Sequence, residues 1–278
     1  MSKLAIVLVA STIDMMNTSG AVRPSALADW LLARGRSGVT TAQAAELMGI
    51  PEDHVRVRLR SRGAEFVSPA RGLWIAVPPE YRLWGAPEGI EIVDRTMRHL
   101  GVEYYVGWLT AAAIHGAAHH APQTFQVATS RRVADRVVGR TDFRFQVRRD
   151  VGELPTIAHP TRSGSARVSS REVTALDLAS DIVLASGIDN AATVILSLAD
   201  EGLDLPAMAD VSARLPAAAV RRVGWIIENL GGLDGAALRP AAVGRGTTPS
   251  LLHPRGPRRG PTDRRWLIQV NTEIEADV

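Results

Sequence analysis

The chain contains no cysteine and a single lysine, Lys3. Without thiols there is no disulfide, no thiolate nucleophile and no cysteine-ligated zinc or iron–sulfur centre. With Lys3 the lone ammonium side chain, a phosphate-binding P-loop has no lysine to follow its glycines, and the common metal-dependent nuclease core lacks the cation beside its carboxylates. Aromatic residues are few, at 5%. The only targeting candidate is the apolar run Leu4 to Ala10 behind Lys3, which is short for a secretory signal and has no Ala-x-Ala cleavage site. It is also far shorter than the roughly 20 residues that span a bilayer. A reducing cytoplasm without membrane association is the expected setting. Met15 and Met16 stand just before the first clear helical pattern, so residues 1–14 read as a mis-assigned start and residues 1–22 as an N-terminal extension.

What is present suits a folded protein of two domains: 278 residues, 46% hydrophobic and 22% charged. The formal net charge is only +3, but the cationic charge is almost all arginine. A guanidinium donates two parallel hydrogen bonds to guanine or phosphate, although a GC-rich coding sequence enriches arginine as well.

The pattern predicts an α+β protein: an N-terminal winged helix-turn-helix over residues 23–86, then a larger mixed α/β domain over residues 87–278. Ser25 is placed to cap a first helix with Leu27, Trp30 and Leu31 on one face, ended near Gly35. Thr40 and Gln43 form a capping-box pair that opens a short helix, Thr41 to Met48. Gly49 stops it, and Pro51 with Glu52 and Asp53 starts a third helix, with fixed φ and acids at its positive end. At about 100° per residue, Val55 and Leu59 of that helix face the core. The opposite arc carries His54, Val57, Arg60 and Ser61, placed to read base edges. Arg56, Arg58 and Arg62 flank them, placed to hold phosphates. Two β-prone runs, residues 65–68 and 73–77, follow about the turn residues 69–72, making a wing with Arg71 at its tip as a further phosphate contact.

Pro78-Pro79 and Trp84 to Pro87 punctuate the chain and put a domain boundary near residue 86. Beyond it, helices are expected at 89–100, over the alanine-rich stretch ending at His115, at 188–200, 206–214 and 216–230. Another starts from a Ser169/Glu172 capping box, with Val173, Leu176, Ala179, Ser180 and Val183 inward. Strands are expected at 124–128, 141–147 and 266–270, with Glu273, Glu275 and Asp277 alternating along a solvated face. Arg131, Arg132, Arg258 and Arg259, within two arginine-rich stretches, are placed to extend the electrostatic footprint on DNA.

Little here points to catalysis. His115 and His119 have metal-ligand spacing, but Gly116 stands where a zinc protease keeps its glutamate. Asp177 and Asp181 share a helical face without a partnering base, which reads as capping or salt bridging. No catalytic residue, metal site or cofactor is expected. Two other functions stay open: a ligand-sensing repressor with Tyr104, Tyr105, Trp108 and His115 lining a pocket, and a metal-dependent nuclease using His115, His119 and carboxylates.

The order of these pieces resembles a known family. The winged helix-turn-helix, then Tyr104-Tyr105-Val106-Gly107-Trp108-Leu109-Thr110-Ala111-Ala112-Ala113-Ile114-His115-Gly116 with Thr124-Phe125-Gln126-Val127, is similar to AbiEi antitoxin transcriptional regulators. Val168 to Leu178 and Trp266 to Asn271 fit the later segments of that family. The resemblance implies an autorepressor that binds inverted repeats in its own promoter and an antitoxin domain that counters a nucleotidyltransferase toxin of the AbiEii type. In such type IV systems no stable complex with the toxin is expected.

Overall fold

The computed structural model describes residues 20–118 and 122–276. Lys3 with the apolar run behind it, His119, His120 and Asp277 lie outside the described residues. The fold is mixed α and β, with three sheets, and the chain divides into two compact units. The first comprises the chain up to Glu103, Ala134–Phe143 and His159–Ala166; the second comprises Tyr104–Val133, Arg144–Ala158 and Arg167 onward.

In the first unit, α1 (Leu27–Leu32) is followed by β1 (Gly38–Thr40), α2 (Thr41–Met48), α3 (Glu52–Arg60) and the hairpin β2 (Phe66–Ala70) and β3 (Leu73–Ala76). Both capping-box hydrogen bonds of Thr40 and Gln43 are present, and Gly49 ends α2 at φ 62° in the left-handed region that glycine adopts without steric cost. Ser25 does not cap α1: the residue before the helix is Ala26, whose backbone is already helical and which makes no side-chain cap. Strand β1 was not expected from the sequence. It pairs antiparallel with β3 to complete a three-stranded sheet in the order β1-β3-β2. Three residues are too few for alternation to show, and the pairing needs Gly38, where a Cβ would lie 2.4 Å from the Trp74 carbonyl oxygen. The core gathers Leu27 and Leu31 of α1, Ala44 and Met48 of α2, Val55 and Leu59 of α3, and Phe66 and Trp74 of the hairpin.

After a 3₁₀ turn, Pro79–Trp84, comes α4 (Gly89–Leu100), with Ile92, Val93, Thr96 and Met97 buried. This helix packs on β2 and β3 and belongs to the first unit. The expected boundary near residue 86 therefore falls inside that unit. Proline and glycine punctuation marks the turn, but the buried face of α4 decides which core the helix joins.

A six-stranded sheet has the order β6-β7-β5-β4-β9-β8, from β4 (Tyr104–Val106), β5 (Phe125–Thr129), β6 (Arg136–Val138), β7 (Thr141–Val147), β8 (Thr156–Thr161) and β9 (Gly164–Ser169). Strand β4 pairs antiparallel with β5 and parallel with β9. The helices of the second unit are α5 (Trp108–Ile114), α6 (Arg171–Ser180), α7 (Ile188–Asp200), α8 (Leu205–Ser212), α9 (Ala217–Asn229) and α10 (Arg239–Val243). Helix α6 is capped by Ser170, whose hydroxyl accepts from the Val173 amide, one residue later than expected. Ser169 is unavailable because its hydroxyl is buried against the Val106 carbonyl and the Thr174 hydroxyl. The helix ends at Ser180, so Val183 lies beyond it and is exposed.

A small third sheet, β10 (Ser250–Leu251), β11 (Thr262–Asp263) and β12 (Ile268–Gln269), closes the unit. The closing strand is shorter than the expected 266–270, and residues 271–276 form no strand, so Glu273 and Glu275 do not alternate along one. Two consecutive arginines on α9 fasten this region. Arg221 donates to the carbonyls of Ala242, Gly246 and Thr248, and Arg222 to those of Ala179, Leu251 and Leu252. Burial pushes Arg222 down to about 10 from the usual arginine value.

Glu228, also on α9, accepts from the Trp266 indole at 2.7 Å, from Arg239 and Arg265, and from the Gly235 amide. Burial opposes its charge, but the Arg265 and Trp266 hydrogen bonds and the Arg265 charge outweigh it and hold this carboxyl below its ordinary value. A depressed folded-state pKa contributes stability that is present above the unfolded value, near about 4.3, and is lost as the pH falls through the folded one. Glu228→Gln is therefore expected to cost stability at pH 7, with the gap to wild type closing below pH ~4. Urea titrations of both proteins at pH 7 and pH 3 check this; a gap of equal size at both would refute it.

Candidate nucleic-acid interface

Helix α3 has nine residues, with Glu52 and Asp53 in its first turn and Arg58 and Arg60 in its last, so its charges follow its dipole. Val55 and Leu59 are fully buried, which turns the rest of the helix outward. His54, Arg56, Val57, Arg58, Arg60 and Ser61 are all exposed, Val57 at 70%. An apolar side chain that open, between arginines, gains nothing from the fold itself. Among the described residues, none of Arg56, Arg58 and Arg60 pairs with a carboxylate. The Ser61 hydroxyl spends its proton on the Arg58 carbonyl at 2.8 Å and keeps only acceptor capacity.

Arg62 stands apart from this set. Its guanidinium is held by both carboxylate oxygens of Glu65, at 2.7 and 2.5 Å, and is half-buried. Those hydrogen bonds hold Arg62 above its usual value and use the donors a phosphate would need. Glu65, three residues on, is the first acid after Asp53.

The hairpin turn carries Arg71, exposed, and Gly72 at φ 79°. Three side or main chains fix its carbonyls. The Thr41 amide at the start of α2 donates to Gly72, His99 of α4 contacts the Arg71 carbonyl at 2.9 Å, and Arg136 donates to Pro69. Trp74 of β3 adds an indole bond to the Thr41 hydroxyl. The turn is thus a rigid extension of the helices beside it. Nothing in the local sequence of the hairpin announces His99 or Arg136, which come from 28 and 67 residues away.

Arg131, Arg132, Arg258 and Arg259 are exposed on the second unit. Other members of the same arginine-rich stretches serve the fold. Arg148 is ion-paired with Asp177, which is fully buried, and lies over the Trp108 ring. Arg265 is bound to Glu228. Asp177 also accepts from the Tyr105 hydroxyl at 2.8 Å, and burial pushes that phenol up to about 12. Asp181 caps the Val183 and Leu184 amides.

The aromatic cluster is packed into the fold. Tyr104, Tyr105 and Trp108 are buried, the Tyr104 hydroxyl accepts from the Arg167 amide, and the His115 ring bonds the Ser169 carbonyl. A groove of about 730 Å³ on the second unit is lined instead by residues such as Leu109, Gln126, Arg144 and Asn190. Burial pushes the His115 pKa below its ordinary value, against the Ser169 carbonyl bond that favours the protonated ring. Among the described residues, no three histidine or acidic side chains converge as metal ligands. His119 is outside them. No helix of the described residues is long and apolar enough to cross a membrane.

Residues 105–229 match the family model described as the AbiEi antitoxin C-terminal domain. Among solved structures, the chain is similar to the crystal structure of the RV2827C protein from Mycobacterium tuberculosis. The likeness covers 88% of this chain and 89% of the other, at a TM-score of 0.62 and 14% identity, and it is a likeness of fold. No curated protein matches the chain.

Proposed function

We propose that the chain, whose residues 105–229 match the AbiEi antitoxin C-terminal domain model, is a DNA-binding autorepressor and antitoxin of that family. The first unit acts as a winged helix-turn-helix, with α2 and α3 as the helix pair and β2–β3 as the wing. Helix α3 enters the major groove, where Arg60, His54, Val57 and Ser61 face base edges and Arg56 and Arg58 hold the phosphates on either side. Arg71 on the wing and Arg131, Arg132, Arg258 and Arg259 add backbone contacts. The second unit counters a nucleotidyltransferase toxin of the AbiEii type without a stable complex. The observation that carries this reading is the α3 surface: three arginines with no carboxylate partner among the described residues and an exposed valine, on one helix whose buried residues are Val55 and Leu59.

Gel-shift titrations with the chain's own promoter test it. Arg60→Ala is expected to weaken specific binding by about 1–3 kcal/mol while leaving random DNA nearly unaffected. Arg56→Ala should weaken both similarly and lower the log–log salt slope by about 0.9. A triple Arg56, Arg58 and Arg60 alanine variant that binds the promoter as tightly as wild type would rule out α3 as the recognition helix.

A further inference from the structure

The first unit contains a concave pocket of about 290 Å³, at the small end of the roughly 300–1,000 Å³ found for ligand sites. Its floor is apolar, built from Leu32 of α1, Ile75 of β3 and Ile92 of α4, and its walls include Pro78, Pro79 and Pro87. Proline has no N–H, so these walls offer no main-chain donor to an occupant. An occupant of that floor therefore needs an apolar body.

The rim carries four charges, Arg36, Glu80, Glu91 and Arg162. Three are satisfied among themselves: Arg162 pairs with Glu80, and its amide donates to the Glu91 carboxylate at 3.0 Å. Arg36 is the one left over, half-buried and without a carboxylate partner among the described residues. Its surroundings add positive charge. Arg95 commits a guanidinium donor to the Gly38 carbonyl, and burial together with the charges of Arg36 and Arg98 holds its pKa below the ordinary value. An anion beside Arg36 would relieve that repulsion.

We propose that this pocket binds a small organic carboxylate, its apolar body on Leu32, Ile75 and Ile92 and its carboxylate on Arg36. A guanidinium at the edge of an apolar cleft favours this class, because the planar donors match a carboxylate's two oxygens. An amine of the same shape meets Arg36 as a like charge, and an alcohol forfeits the charge-assisted bond. The assignment is independent of DNA binding and stands or falls without it.

Calorimetric titration of the full chain with benzoate and hexanoate, against benzylamine, hexylamine, benzyl alcohol and hexanol, tests the proposal. The carboxylates are expected to bind saturably, one per chain, and about tenfold or more tighter than the alcohols and amines, as the loss of a charge-assisted hydrogen bond implies. Arg36→Gln should bring carboxylate affinity down to the alcohol level and leave the alcohols unchanged, while Arg36→Lys restores part of the preference. Carboxylates that fail to bind at millimolar concentration, amines that bind as well, or an Arg36→Gln chain that keeps the preference would each overturn it. Should Arg36→Gln misfold, the ranking of the three ligand classes on the wild-type chain decides.

Discussion

Asp177→Ala is expected to destabilise the second unit by about 3–5 kcal/mol, among the largest effects of any single substitution in the chain. Asp177 is fully buried and is held by the Arg148 guanidinium and the Tyr105 hydroxyl. Removing the carboxylate leaves Arg148, whose side chain is only 14% exposed, as an uncompensated charge in the core. Gly107 tightens the arrangement, since a Cβ there would lie 3.0 Å from the Tyr105 ring and 3.3 Å from Asp177 Oδ2. The pair itself is not a large net source of stability, because desolvating both ions offsets most of their attraction. Replacing both, as Asp177→Leu with Arg148→Met, should therefore recover most of what the single change loses. Urea denaturation of the two variants separates the cases. A double variant as unstable as Asp177→Ala would mean that the pair, and not the orphaned charge, supplies the energy.

Gly224→Ala should be comparably damaging. On α9 a Cβ at this position would sit 2.0 Å from Cζ3 of Trp266, inside the indole ring. The ring is fully buried and is tied through its Nε1 to Glu228, so it has no room to slide. Ejecting a packed tryptophan costs about 3–5 kcal/mol, far beyond the gain from replacing a helical glycine with alanine. Because both substitutions would act through one contact, Gly224→Ala and Trp266→Ala should be strongly non-additive. Thermal melts of the two single variants and the double variant measure this. Fully additive losses would place the cause somewhere other than this overlap.

These two sites show where sequence reading stops. Helices α2, α4 and α7 were legible to the residue, since capping residues, a terminal glycine and 3.6-residue periodicity all act locally. The exposed arc of α3 was legible for the same reason: two buried positions, Val55 and Leu59, fix the orientation of nine residues. Strands β1, β6, β8 and β9 were not: β1 owes its existence to β3, distant in sequence, and β6, at three residues, is too short for alternation to show. Arginines were the hardest residues to assign. Arg62, Arg148 and Arg265 look alike in a basic stretch, yet each is bound to a carboxylate whose position only the fold reveals. Arg221 and Arg222 stand beside Val220 on an amphipathic helix, where a basic pair reads as solvated, and both are buried donors to backbone carbonyls. Asp177 was read as capping or salt bridging, and it does pair, with an Arg148 that lies in a strand-flanking basic stretch.

The first unit is not a continuous stretch of chain: it takes in Ala134–Phe143 and His159–Ala166 as well as the N-terminal segment. Arg136, which holds the Pro69 carbonyl, and Arg162, which holds Glu80 and Glu91, arrive with those late pieces. During synthesis the helices around α3 are made first, but the hairpin turn lacks one of its anchors until residue 136 has emerged, and the unit lacks its last piece until residue 166 has. Domains usually fold in the order in which they leave the ribosome. Here the N-terminal unit must wait for more than half of the protein to be translated, so a ribosome stalled before that point carries α3 beside a β2–β3 turn that is not yet fastened.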